Sequence, residues 1–212
     1  MVLKHLLTEL TIGKAPGPNP SFSVVHIIKA FELLAEKNIG RNKLSQKLAL
    51  GVGATRTLIE RLRSLSLIVV DRKGCVFSKK GRKLWNVLHR ALPRKTVLKG
   101  SGLTLAQFNA AILVRDGSGD VKFGIEQRDA AMLAGARGAT TLILKDGRLT
   151  VPPDNRDVAA DFPEINRQLV DSLQPAENDA IVIGSADTLL KAEFGALAAA
   201  WTLLKEPEAT TG

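Results

Sequence analysis

Residues Arg41–Ser78 read RNKLSQKLALGVGATRTLIERLRSLSLIVVDRKGCVFS. Leu44 and Leu48 share one helical face, so a short helix is predicted over Arg41–Leu50. Gly51-Val52-Gly53 predicts a turn in which glycine permits a sharp reversal. Leu58, Ile59, Leu62 and Leu65 then predict a second helix over Ala54–Leu65. Leu67–Val70 consists of β-formers, and Val76-Phe77 is its return, with Asp71-Arg72-Lys73-Gly74 as the hairpin tip. Helix, turn, helix and hairpin in this order form a helix-turn-helix with a wing. Such a unit sets one helix in the major groove of DNA.

Working outward, Leu3, Leu6, Leu7 and Leu10 predict a short N-terminal helix, and the Pro- and Gly-rich segment 14–20 breaks it. Ser21 or Ser23 is the expected cap of a helix carrying Val24, Ile27, Ile28, Phe31 and Leu34 as far as Lys37. Beyond the wing, Lys79–Leu92 is a predicted helix with Leu84, Val87, Leu88 and Leu92 inward, stopped by Pro93. Residues 93–102 show no hydrophobic period and read as a linker, which separates a domain at 1–92 from one at 103–212. In the second domain strands are expected at 109–115, 121–126, 140–145, 148–151 and 180–184, and helices at 127–136, 161–173 and 187–204. Asp146-Gly147 marks a hairpin, and Asp161 and Asp187 are the expected helix caps. The fold class is α+β: a mostly helical N-terminal winged unit and a C-terminal mixed α/β sheet domain.

Charge divides the chain more sharply than hydropathy does. Residues 1–99 carry 20 Lys/Arg against 5 Asp/Glu, whereas residues 100–212 carry 10 against 16, within a net +9. The first half is suited to a polyanion and the second is not. A 45% hydrophobic content supports real cores. Cys75 is the sole cysteine, so no internal disulfide forms, and with no secretory or membrane-length apolar stretch the expected location is the cytoplasm.

Affinity for DNA comes mainly from phosphate neutralisation, and specificity from a few side chains at base edges. In the second helix the polar side carries Thr55, Arg56, Thr57 and Arg61, with Thr55 and Arg56 in the first turn, where bases are met. Arginine forks onto guanine, and threonine meets a thymine methyl. Arg41, Lys43, Ser45 and Gln46 are the candidate backbone contacts of the preceding helix; Arg72 and Lys73 cap the wing. Lys79, Lys80, Arg82 and Lys83 open the next helix against its dipole, a local cost that points to an anion contact. With 4% aromatics and no Tyr, base stacking on single-stranded RNA is disfavoured.

Residues 22–92 resemble the winged helix-turn-helix domain of prokaryotic transcription regulators, through Leu44–Leu48, Gly53–Leu62 and Leu67–Val70. The whole chain looks like an archaeal family that joins such a domain to a C-terminal domain of unknown function. Gly124–Ala136, Ile183–Asp187 and Ala192–Ala196 carry that second similarity. The resemblance implies a DNA-binding regulator and supplies no effector.

The second domain offers two weaker constellations. Ser185 and Asp187 lie where a buried strand runs into a helix start, which is either an anion site or a helix start already capped by Asp187. Glu126, Arg128 and Asp129 occupy a strand-to-helix junction and either line a ligand pocket or are solvated. Gly195, Ala196, Ala199 and Ala200 give the last helix a small-residue face for close packing, within the domain or across a dimer. His5, His26 and His89 form no cluster with metal-ligand spacing, and no nucleophile elbow, P-loop or dinucleotide motif is present. The expected protein is therefore a homodimeric regulator of double-stranded DNA, without metal, cofactor or catalytic residues. Its second domain senses a small-molecule effector, anions among the candidates, or dimerises, or does both. The alternatives are a small enzyme or nucleotide-binding protein with an appended basic domain, and a sequence-neutral DNA accessory.

Overall fold

The computed structural model describes residues 3–13 and 19–205; most of the expected chain-breaking segment, residues 14–18, lies outside the described residues. The chain divides into two compact units, the first ending at Leu88 and the second spanning His89–Lys205.

The first unit contains α1 (Leu3–Glu9), α2 (Val24–Glu36), α3 (Arg41–Leu48), α4 (Val52–Ser64), the hairpin strands β1 (Ile68–Asp71) and β2 (Gly74–Phe77), and most of α5 (Lys79–Ala91). Its helices form because their apolar residues recur every three or four positions and meet in one core. Leu7, Ile27, Ile28, Phe31, Leu44, Leu48, Leu58, Leu62 and Leu67 are all fully buried. Each such side chain contributes about 1.5–3 kcal/mol against exposure. Phe31 meets the Phe77 ring edge-on at 5.2 Å, and Trp85 stacks with the same ring at 6.4 Å, which ties the hairpin to the helices. Val87, expected inward, is exposed instead.

Ser23 caps α2, and its N–H donates to His26 Nδ1 at 3.1 Å. The turn between α3 and α4 differs from its expected form. The left-handed residue is Ala49 (φ 50°), while Gly51 is an extended N-cap and Gly53 lies inside α4. The Ser45 hydroxyl donates to Leu50 O at 2.6 Å and holds this reversal, so the strain at Ala49 is offset by a bond rather than avoided by glycine. The segment ending α2 also does more than stop a helix. Ile39 N–H donates to Cys75 O, and Cys75 N–H donates to Ile39 O, so Ile39 adds a one-residue bridge to the hairpin. Burial pushes the Cys75 thiol above its ordinary pKa, which marks it as a packed and inert group.

The second unit contains β3 (Lys95–Leu98), β4 (Phe108–Val114), a single 3-10 turn at Ser118–Asp120, α6 (Ile125–Leu133), β5 (Gly138–Lys145) and β6 (Arg148–Val151). It continues with β7 (Arg156–Asp157), α7 (Val158–Asp161), α8 (Pro163–Leu173), β8 (Ala180–Ala186) and α9 (Leu189–Leu203). The six strands run in the order β3-β4-β8-β5-β6-β7, and every neighbouring pair is antiparallel. The expectation of a mixed sheet is thus corrected. Strand β8 inserts between β4 and β5, which would otherwise form a β-α-β unit with α6.

Three further expectations change. Residues 95–98, placed in a linker, are an edge strand paired to β4. Residues 121–126 form no strand: Gly124 (φ 71°) caps α6, which begins at Ile125. Asp157, not Asp161, caps α7 through the Ala159 N–H, and α8 starts behind Phe162 with Pro163 in its first turn. The Asp146-Gly147 hairpin forms as predicted, with both residues at positive φ (51° and 72°) and their N–H groups donating to the Glu177 carboxylate.

All seven residues of β8 are buried, because helices cover both faces of the sheet. On one face Ile181 and Ile183 join Leu113, Leu142, Ile165, Leu169 and Leu173 in the larger core. On the other, α9 lies directly on β8: a Cβ on Gly184 would stand 2.3 Å from Ala192 O and 2.5 Å from Ala196 N. The small-residue face of α9 is consumed here, since Gly195, Ala196, Ala199 and Ala200 are buried within the unit. Leu197 and Leu204 are buried too. A dimer contact through this face is excluded by that packing.

Candidate nucleic-acid interface

The N-terminal end of α3, the outward face of α4 and the β1–β2 hairpin surround one open groove of about 920 Å³. Arg41, Lys43, Arg56, Arg63, Arg72 and Lys73 line it, against only Glu60 and Asp71. Six cations facing two carboxylates make the groove strongly positive. At the tip, Asp71 Oδ1 accepts from the Lys73 N–H at 2.7 Å, which fixes the turn that presents Arg72 and Lys73.

The groove gathers some of the expected residues and omits others. Arg56 lies exposed on α4, and its Nε donates to Glu60 at 2.8 Å. Thr55 is fully buried, with its hydroxyl donating to Gly51 O, so it cannot meet a base. The Thr57 hydroxyl likewise donates back into the helix, to Gly53 O at 3.2 Å. Arg61 points away from the groove: its Nη1 donates to Leu10 O (2.6 Å) and Ile12 O (2.7 Å), and its guanidinium covers the Phe22 ring. It ties the N-terminal segment to α4 and is corrected from DNA contact to structural anchor. Ser45 holds the turn already described, while Gln46 is exposed on α3 without lining the groove.

The four cations that open α5 stand outside the groove lining. Lys80 Nζ donates to Leu65 O at 3.0 Å, and Arg82 sits 4.8 Å above the Phe77 ring. These two are explained by the hairpin–helix packing. Lys79 and Lys83 are exposed. Arg63 is the groove residue that the sequence reading missed. It lies seven residues after Arg56, about 20° around the helix from it, whereas Arg61 lies about 140° away. That spacing was the available signal.

In the second unit Ser185 and Asp187 are both engaged internally. The buried Ser185 hydroxyl accepts the Leu105 N–H at 3.1 Å, and Asp187 pairs with Arg137 at 3.1 Å. Thr188, not Asp187, caps α9 by accepting the Lys191 N–H. The expected anion site is therefore filled by the protein's own bonds. Arg128 pairs with Asp129 at 2.9 Å; Glu126 and Asp129 border a cleft of about 630 Å³ beside α6, and Arg128 does not line it. Among the described residues, no group of three or more His, Cys, Asp or Glu is placed to hold a metal ion, and no helix is long and apolar enough to cross a membrane.

Two family models match the chain. Residues 26–83 match "PH0730-like, N-terminal domain", and residues 105–203 match a domain of unknown function, DUF4443. Among solved structures, the hypothetical protein PH0730 from Pyrococcus horikoshii OT3 is similar at 30% identity with a TM-score of 0.70. The similarity covers 86% of this chain and 93% of that one. No curated protein matches the chain.

Proposed function

The chain belongs to the PH0730-like family, whose C-terminal part is a domain of unknown function, and from the geometry of the groove we propose that it is a homodimeric regulator that binds double-stranded DNA. In this reading the first unit is a winged helix-turn-helix, with α4 as the recognition helix and the β1–β2 hairpin as the wing. The observation that carries it is the groove. Six cations from three separate elements converge on one surface, and a solvated basic face gives no reason for such convergence. Arg56 is the expected base reader, Arg63, Arg72 and Lys73 the expected phosphate or minor-groove contacts, and Arg41 and Lys43 the backbone contacts of α3. No catalytic step is assigned to the chain.

The second unit supplies dimerisation. A small effector is the second role proposed for this unit, with no cleft assigned to it. Any such ligand acts only by binding the DNA-competent and incompetent states unequally.

Two measurements test the groove. Arg56→Ala should weaken binding to a selected duplex roughly 5- to 100-fold, and binding to random duplex far less, in titrations at one fixed salt concentration. Glu60→Gln, which removes the carboxylate held by Arg56, should strengthen both. Unchanged affinity in the Arg56 variant removes α4 from the interface.

Arg72→Ala combined with Lys73→Ala should weaken binding to every sequence. It should also flatten the dependence of log affinity on log salt by about two units, one for each phosphate that the variant leaves unneutralised. A slope equal to that of the parent protein removes the hairpin.

A further inference from the structure

Helix α6 buries only a narrow stripe of its surface. Gln127 and Ala131 point inward, and Gln127 Nε2 donates to the Thr202 hydroxyl at 2.7 Å. The opposite face and the approach to it carry large apolar side chains in the open: Phe123 is 62% exposed, Ile125 52%, Met132 52% and Leu133 91%. Phe123, Ile125 and Leu133 border the same cleft, so they form one patch rather than scattered singles. A contiguous apolar patch of a few hundred Å² marks an interaction surface.

We propose that this face of α6 is the two-fold interface between two copies of the chain, an inference that rests on reading the protein as a dimeric regulator. Nothing small can cover Leu133, which stands out from the surface. A protruding partner is required, and the arrangement of the patch fits its own copy. Ile125 and Leu133 each lie four residues from Asp129, one helical turn to either side. An antiparallel two-fold axis through Asp129 lays Leu133 of one copy over Ile125 and Phe123 of the other, and does so twice. The same axis gathers two Arg128–Asp129 ion pairs, each carboxylate facing the guanidinium of the opposite copy. Apolar residues at equal distances from a centre that carries both signs are self-complementary under a two-fold operation. A polyanion or a basic peptide would match one of the two central charges and clash with the other.

The test is sedimentation of the full chain without DNA at tens of micromolar. The parent protein should sediment as a dimer. Leu133→Glu should weaken self-association at least about tenfold while leaving the circular-dichroism spectrum of the folded chain unchanged, because the side chain is 91% exposed in its own fold. Val97→Glu, at an exposed apolar position elsewhere on the same unit, should leave the dimer intact. A monomeric parent protein, or a Leu133→Glu variant as dimeric as the parent, overturns the proposal. If Leu133→Glu breaks the dimer and neither protein binds duplex DNA, the interface stands and the DNA reading falls.

Discussion

Gly184→Ala should strongly destabilise the second unit. The added methyl would stand 2.3 Å from Ala192 O and 2.5 Å from Ala196 N, both backbone atoms of α9. Neither atom can rotate away as a side-chain tip would, so α9 must lift off β8 as a body. That movement opens the layer containing Ala110, Ala186 and Ala192. Overpacking of well-filled cores usually costs about 1–3 kcal/mol, and a clash with two backbone atoms belongs at or above the top of that range. For a unit of this size, about 3 kcal/mol corresponds to a fall in melting temperature of roughly 10–20 °C. Thermal unfolding followed by circular dichroism reads this directly. A variant melting within a degree or two of the parent protein would mean that α9 does not sit on β8 as closely as described.

The second large effect is expected at Asp179. This carboxylate is 2% exposed and accepts three bonds: from Arg115 Nη1 at 2.5 Å, from the Ala176 N–H at 2.8 Å and from the Asp116 N–H at 3.1 Å. It joins the end of β4 to the entrance of β8. Asp179→Ala leaves two N–H groups and a guanidinium without their acceptor; Arg115 is 35% exposed and reaches water, so the cost is that of losing one buried acceptor, about 1–3 kcal/mol. Asp179→Asn retains one acceptor oxygen and loses the charge, so its cost should be clearly smaller. Urea unfolding of the two variants gives the comparison. If Asp179→Ala costs less than about 1 kcal/mol, water reaches the vacated position and the network contributes little.

Much of the first unit was legible because its helices are short, amphipathic and locally determined. The spacing of Leu44 and Leu48, and of Leu58, Ile59 and Leu62, reports burial whatever the tertiary partners are. Thr55 shows how residue type can mislead. It falls on the same stripe as Leu58, Ile59 and Leu62, and its position alone indicated burial. A hydroxyl that bonds back to Gly51 O tolerates that environment. Arg61 was not legible, because its acceptors at Leu10 and Ile12 lie 51 and 49 residues away. Its helical position, about 140° from Arg56, indicated that it leaves the groove face, but not what it anchors.

The second unit was read less well for a related reason. Val121-Lys122-Phe123 alternates like a strand, yet Gly124 takes a left-handed conformation and opens α6 immediately afterwards. The apolar run at 180–186 announced a buried strand without naming its neighbours. Those neighbours, β4 and β5, are paired through residues 66–78 and 37–47 positions earlier. The exposed Leu133 lay inside a helix that the sequence did indicate, but its exposure depends on where α9 packs.

The position of β8 also bears on how the protein is made. It is the last strand among the described residues and stands in the interior of the sheet, between β4 and β5. A growing chain has already released β3, β4, β5, β6 and β7 before the strand that joins the two halves of the sheet exists. Until residue 186 has emerged from the ribosome, β4 and β5 each present an unpaired edge, the kind of surface on which nascent chains aggregate. The first unit carries no such delay, since all its elements before α5 are complete at Phe77. During synthesis the helices and hairpin of the basic half can therefore pack while the sheet of the second unit is still open.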